Sequence, residues 1–282
     1  IMGLQGLDST DRQRRQIKYM YRLPNTRDWK PLSVVDVIER GTGFDPYTVD
    51  AKLNVAYGFA DRNGYTALLS HKLDGTDHET VVLQRGDVDV DQLVTIGRSS
   101  RVVGASYATE RRTVEFFDPE LKKLAAALTR ALPGNPLIDI VDASVDESKL
   151  LLYAYGDTQP GTFYLFDKAS RKLGEVLPVR PGLAGRTLAP MKAITFPATD
   201  GTQIPAYLTL PPVSTGKSLP AIVMPHGGPS ARDEWGFDWL VQFYAARGFA
   251  VIQPNYRGSS GYGAAWFKKN GFQSWRTAIG DV

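Results

Sequence analysis

Two observations predict the fold class. A unit of roughly 48 residues, made of short strands and turns, recurs between Phe44 and Leu177, which predicts the blades of a β-propeller. After Pro181 the pattern changes to a hairpin, then strand, glycine turn, helix and strand, which predicts an α/β sheet with a parallel crossover. The expected organisation is a partial β-propeller over residues 1–185 and the opening of an α/β domain over residues 186–282. A length of 282 residues, 43% of them hydrophobic, gives room for about two domains with real cores.

In the first blade unit Leu53, Val55, Tyr57 and Phe59 alternate with small or polar residues. Asp61-Arg62-Asn63-Gly64 supplies an Asn-Gly hairpin signal, and Tyr65 to Leu69 returns. The second unit runs Val102 to Tyr107, a polar turn over Thr109 to Arg112, and Val114 to Phe117. The third runs Leu150 to Tyr155, a turn over Gly156 to Gly161, and Phe163 to Phe166. Asp118 and Asp167 directly follow the second strand of their units, where a carboxylate can hold the next turn. Lys18 to Arg40 reads as part of a further blade. The competing reading is an antiparallel sandwich without periodicity, and the Gly-His and Trp-Asp marks of WD repeats are absent.

Gly182 to Pro190 reads as a linker. Met191 to Phe196 and Ile204 to Leu210 form a hairpin around Thr199-Asp200-Gly201-Thr202, and Pro211 to Ser218 is a polar loop. Ala221 to Met224 is a short apolar run, expected to be buried on both faces. Pro225 ends it, and His226-Gly227-Gly228-Pro229 makes a turn whose glycines leave backbone N–H groups uncovered. Asp238 is placed to cap a helix whose apolar side pairs Trp239 with Phe243 and Leu240 with Tyr244, with Gly248 after its end. Phe249 to Ile252 is the second buried strand. A further helix is expected over Ala264 to Lys269, stopping at Asn270-Gly271, and Gly280-Asp281-Val282 approaches another. A hairpin followed by parallel crossovers is the opening of an α/β-hydrolase sheet, with too few strands to close its core. The start, Ile1-Met2-Gly3-Leu4, is neither a signal peptide nor a natural beginning, so an internal piece of a longer protein is expected.

The net charge of +3 is small. The Arg12, Arg14, Arg15, Lys18 cluster has no aromatic stacking platform, so it reads as a solvated face and not a nucleic-acid patch. The chain has no cysteine, which excludes disulfides, thiolate catalysis and zinc–sulfur sites but does not separate cytoplasm from periplasm. No apolar run approaches the roughly 20 residues of a spanning helix, so no membrane partner is expected. His71 and His78 lie in a blade and its connecting loop and read as surface residues, not metal ligands. No cofactor is called for.

A strand ending in H-G-G-P has a role in acyl transfer. A developing oxyanion must meet preorganised N–H donors, and glycine lets the backbone approach without a side chain in the way. The nucleophile of such enzymes lies in G-x-S-x-G on a strand-to-helix elbow. Gly104-Ala105-Ser106-Tyr107-Ala108 lacks the final glycine and sits within a blade strand. Gly258-Ser259-Ser260-Gly261-Tyr262-Gly263 has the wrong register and reads as a loop packing beside the site. His226 precedes any nucleophile, against the order Ser, Asp or Glu, His, so it shapes the loop and does not abstract protons.

The segments T-D-G-T-Q-I-P-A-Y-L-T-L-P, L-P-A-I-V-M-P-H-G-G-P and Q-P-N-Y-R-G-S-S-G-Y-G resemble the prolyl oligopeptidase family of serine peptidases, in its acylaminoacyl-peptidase and dipeptidyl-aminopeptidase-like branch. The specific motifs cover Ala198 to Gly263. The resemblance implies a propeller capping an α/β-hydrolase domain and a short peptide as substrate. It implies that Gly227 and Gly228 offer the oxyanion donor, and that Tyr256 and Arg257 shape the loop beside the site and meet the substrate. It also implies that the serine, aspartate and histidine of the triad fall after Val282. A lipase or esterase sharing H-G-G loops, and a non-catalytic propeller binding module, are the alternatives.

Overall fold

Alternating apolar and small residues close into hairpins, and the hairpins form four successive antiparallel sheets in the first part of the chain. The computed structural model describes residues 1–10, 12–37, 42–76, 78–228, 231–268 and 275–282. The first sheet holds β1 (Met2–Leu4), β2 (Gln16–Tyr21) and β3 (Lys30–Asp36). The second holds β4 (Asp45–Asp50), β5 (Val55–Arg62), β6 (Tyr65–Lys72) and β7 (Glu79–Leu83). Between β5 and β6, Asn63 at φ 59° and Gly64 at φ 84° make the left-handed two-residue turn that the Asn-Gly pair predicts. The third sheet holds β8 (Val90–Ile96), β9 (Arg101–Ala108) and β10 (Arg112–Phe116). The fourth holds β11 (Leu137–Ala143), β12 (Lys149–Gly156), β13 (Gln159–Asp167) and β14 (Lys172–Pro178).

Each of these sheets pairs its strands in chain order and antiparallel, the meander of a propeller blade. Successive sheets share cores. Tyr21 and Phe44 pack with Ala56 and Leu69, Phe59 and Leu68 with Val90 and Ala105, and Ile96 and Val103 with Leu150 and Leu152.

One element was not expected. Helix α1 (Pro119–Ala131) follows β10, where the sequence reading has only strands and turns. Its residues P-E-L-K-K-L-A-A-A-L-T-R-A are strong helix formers, with proline in the first turn, Arg130 in the last, and Leu121 and Leu128 buried on one face. Asp118 therefore caps a helix, its Oδ1 accepting from the N–H groups of Glu120 at 3.0 Å and Leu121 at 3.3 Å. Asp167 does hold a turn, accepting from the Ser170 N–H at 2.9 Å.

The second part of the chain contains β15 (Met191–Pro197), β16 (Gln203–Thr209), β17 (Ala221–Val223), α2 (Trp239–Ala246) and β18 (Ala250–Pro254). Its sheet has the order β15-β16-β18-β17, antiparallel except for the β17–β18 pair, which is parallel through α2. Helices α3 (Gly263–Lys268) and α4 (Trp275–Gly280) follow. The expected stop at Asn270-Gly271 lies outside the described residues, as do Arg40, Pro229 and Lys269.

Three expectations about burial are corrected. Strand β17 is the edge of its sheet, with Ala221 and Val223 exposed, so it is not covered on both faces. On α2, Trp239 and Phe243 point outward at 60% and 47% exposure, whereas Val241, Gln242 and Ala245 are buried. The reason is polar: Gln242 clasps Ala189 of the linker, accepting from its N–H at 2.8 Å and donating to its carbonyl at 2.7 Å, which turns the aromatic pair away. His71 is buried, its ring 5.7 Å from that of Phe44, because it falls on the same face of β6 as Leu69. His78 is exposed, as are Arg12, Arg14, Arg15 and Lys18.

Candidate active site

The glycine turn and the tyrosine that faces it leave the carboxyl ends of two parallel neighbours, the position where open α/β sheets place ligands. Met224 N–H still bonds to Ile252 O at 2.8 Å, but Pro225 has no N–H to continue the ladder, and the chain turns out at His226. On β18 the pairing continues to Asn255, whose N–H reaches Pro205 O at 2.7 Å, and Tyr256 follows.

The rings of His226 and Tyr256 stack with centroids 4.5 Å apart and planes at 15°. Tyr256 O–H donates to His226 O at 2.9 Å. On the other side, His226 Nε2 lies 2.7 Å from Ser259 Oγ, and Ser259 donates to Tyr256 O at 2.7 Å. This is a serine beside a histidine, yet it is no nucleophile. Ser259 is fully buried, its hydroxyl wedged between His226 Nε2 and the Tyr256 carbonyl, where no substrate reaches it. His226 is thus held from both sides.

Gly227 and Gly228 are exposed, and neither N–H meets a protein acceptor among the described residues. A Cβ built on Gly227 meets nothing within 4 Å, and Gly228 sits at φ 133°, where a side chain would be strained. Two free amides beside a fixed imidazole can receive an anionic oxygen.

Arg257 faces elsewhere. Its guanidinium reaches Asp281 at 2.6 Å and Asp200 at 2.8 Å, and its backbone N–H bonds Asp281 Oδ2 at 2.9 Å. It ties the loop after Tyr256 to the end of α4 and to the β15–β16 turn, so the structure groups Tyr256 with His226 and the glycines and leaves Arg257 apart from them. The Asp200 carboxyl is pulled down to about 2, first by the Thr202 backbone N–H, then by the Thr202 side chain and Arg257. Burial pushes the Tyr256 hydroxyl up.

The G-S-S-G-Y-G loop does pack beside the site, and it also docks onto the second sheet. Asp89 N–H donates to Gly261 O at 3.0 Å and Ala264 N–H to Gly64 O at 2.7 Å. A side chain at Gly263, φ 81°, would come within 2.6 Å of Tyr65. Nearby, Arg112 pairs with Asp91 at 2.7 Å and donates through Nε to Glu234 at 2.9 Å. Ser106 is buried on β9 and accepts from Arg112 at 2.9 Å, so it is no nucleophile either. Sequence reasoning missed Ser259, Asp281, Asn255 and Arg112, because each acts through a partner far along the chain. Among the described residues no group of acidic or histidine side chains is placed to hold a metal ion.

The comparisons with known proteins point to one family. The model of the prolyl oligopeptidase family matches residues 235–277, from the limb after the glycine turn into α4. Over that stretch the chain matches the prolyl oligopeptidase family. It is similar to dipeptidyl aminopeptidase BIII of Pseudoxanthomonas mexicana, with 27% identity over 86% of this chain and 38% of that protein. Dipeptidyl peptidase family member 6 of Caenorhabditis elegans is 34% identical over 45% of this chain and 20% of its own length. Among solved structures, a puromycin-hydrolysing peptidase of Mycobacterium tuberculosis superposes with a TM-score of 0.63 at 17% identity, over 90% of this chain and 39% of that one. Dipeptidyl peptidase 4 of Porphyromonas gingivalis superposes with a TM-score of 0.63 at 16% identity, over 95% of this chain and 38% of that one. These likenesses fix the fold, and the chain spans well under half the length of each relative. Among the described residues no helix is long and apolar enough to cross a membrane.

Proposed function

We propose that this chain is the oxyanion-bearing part of a serine peptidase that hydrolyses short peptides by acyl transfer. In this reading residues 1–185 are propeller blades and residues 186–282 open the α/β-hydrolase domain. The observation that carries it is the pair of exposed, unpartnered amides at Gly227 and Gly228, beside an imidazole locked by Tyr256 and Ser259. Gly227 or Gly228 donates to the carbonyl oxygen as it becomes anionic, and Tyr256 and Ser259 keep the turn from moving as charge develops.

The attacking serine is not in these 282 residues, none of which forms G-x-S-x-G. Longer sequence is to supply it. The names of the curated relatives favour release of dipeptides over removal of acylated residues, and a propeller over the site suits peptides better than the lipids of an esterase. The test compares this chain with the same chain extended to its relatives' length, on dipeptidyl and N-acyl anilides. The extended protein is expected to turn over dipeptidyl anilides and to lose activity to a serine-directed phosphonate, and the 282-residue chain to be inert. An extended protein with no phosphonate-sensitive turnover overturns the reading.

A further inference from the structure

Beneath the glycine turn, β18 and the limb that returns from the turn meet through two side chains, Gln253 and Asp233. Gln253 is 2% exposed, and its Nε2 donates to Asp233 Oδ1 at 3.0 Å. The remaining oxygen of each group, Asp233 Oδ2 and Gln253 Oε1, is buried with no hydrogen-bond partner among the described residues. A buried acceptor left unpaired costs about 1–3 kcal/mol, and here two occur on groups already joined by one bond. Exchanging the amide's oxygen and nitrogen does not help, since Oε1 would then face Oδ1, another acceptor. A proton on Oδ2 turns that oxygen into a donor and offers Gln253 Oε1 a bond to accept.

We propose that Asp233 is a carboxylic acid in the folded protein, closing a cyclic pair with Gln253 in which Nε2–H donates to Oδ1 and Oδ2–H donates to Oε1, and that this pair positions the glycine turn. The route to the turn is short. The backbone of Asp233 clasps the Asn255 amide, its N–H donating to Oδ1 at 2.8 Å and its carbonyl accepting from Nδ2 at 3.0 Å. Asn255 is fully buried and precedes Tyr256, which carries His226. Asp233 is a positioning residue, two bonded contacts away from the amides.

The surroundings agree. Burial is the main influence on the Asp233 carboxyl and raises it; Asp238 acts in the same direction, while His226, the Gln253 bond and Arg232 oppose. Tyr256 also lies within electrostatic reach of Asp233.

The experiment measures unfolding of the 282-residue chain against pH for the wild type and Asp233→Asn. Asparagine reproduces both bonds of the cyclic pair without a proton to lose. An acid raised on folding contributes stability fully present below its unfolded value and lost as pH climbs through its folded value. Asp233→Asn is therefore expected to gain on the wild type above pH about 4, by up to about tenfold in folding equilibrium per pH unit, and then to level off. Infrared difference spectra are expected to show a protonated-carboxyl band in the wild type that the variant lacks. A variant offset that stays constant with pH, or the absence of that band, overturns the proposal. Should Asp233→Asn fail to fold, carbon NMR of the wild-type carboxyl decides: a midpoint above that of ordinary aspartate is expected, and one at or below it overturns. None of these readouts is turnover, so the result stands whatever reaction the whole protein performs.

Discussion

The ring of His226 lies flat on that of Tyr256, 4.5 Å between centroids, while the Tyr256 hydroxyl donates to the histidine's own carbonyl at 2.9 Å. One tyrosine thereby fixes both the side chain and the backbone of the residue that precedes the two free amides. Removing only the hydroxyl, in Tyr256→Phe, keeps the stack and loses the bond. The expected cost is about 1 kcal/mol, read by urea denaturation.

Arg257 and Asp281 form the most buried ion pair near the site, with side-chain exposures of 15% and 0%. Removing one partner of such a pair leaves a buried charge without compensation. Arg257→Ala, which strands the buried Asp281, is expected to destabilise by about 3–5 kcal/mol, and Asp281→Ala by less, because Arg257 keeps Asp200; both are read as a lowered urea midpoint at unchanged slope. If Arg257 served substrate binding alone, its removal would leave the midpoint where it is.

Arg112 joins the third sheet to the limb after the glycine turn through Glu234. The pair has side-chain exposures of 10% and 29%, and Asp91 competes for the same guanidinium. A double-mutant cycle over Arg112→Ala and Glu234→Ala is expected to give a coupling of about 1–3 kcal/mol. Additive single effects would show that the two parts of the chain dock without this contact.

Asp200 is lowered from 3.8 to about 2 by its turn and by Arg257. A carboxyl depressed on folding contributes stability above its unfolded value that is lost as pH falls through its folded value. The wild type is therefore expected to lose stability between pH 3.8 and about 2 in part through this group. Asp200→Asn should flatten that part of the curve, as measured by thermal unfolding at a series of pH values.

Much of the architecture is legible in the residues taken singly. Period-two alternation marks β5, β9, β12 and β13, and the Asn63-Gly64 pair marks a left-handed turn, because both depend on near neighbours alone. The cap at Asp238, the parallel crossover and the H-G-G turn are local in the same sense. Helix α1 was equally local and was missed because the surrounding strand repeat was extended across it, against the helix propensity of its own residues.

The sequence by itself determined the succession of hairpins, the switch to an α/β unit and the presence of a bare glycine turn, since each follows from the order of residues within a few positions of one another. Only the tertiary structure decided which face of α2 is buried, that Ser259 holds His226, that Arg257 turns to Asp200 and Asp281, and that Gln253 lies against Asp233. Hydrogen bonds and ion pairs are short in space whatever their separation in sequence, so contacts across 20 or 33 residues leave no periodic trace.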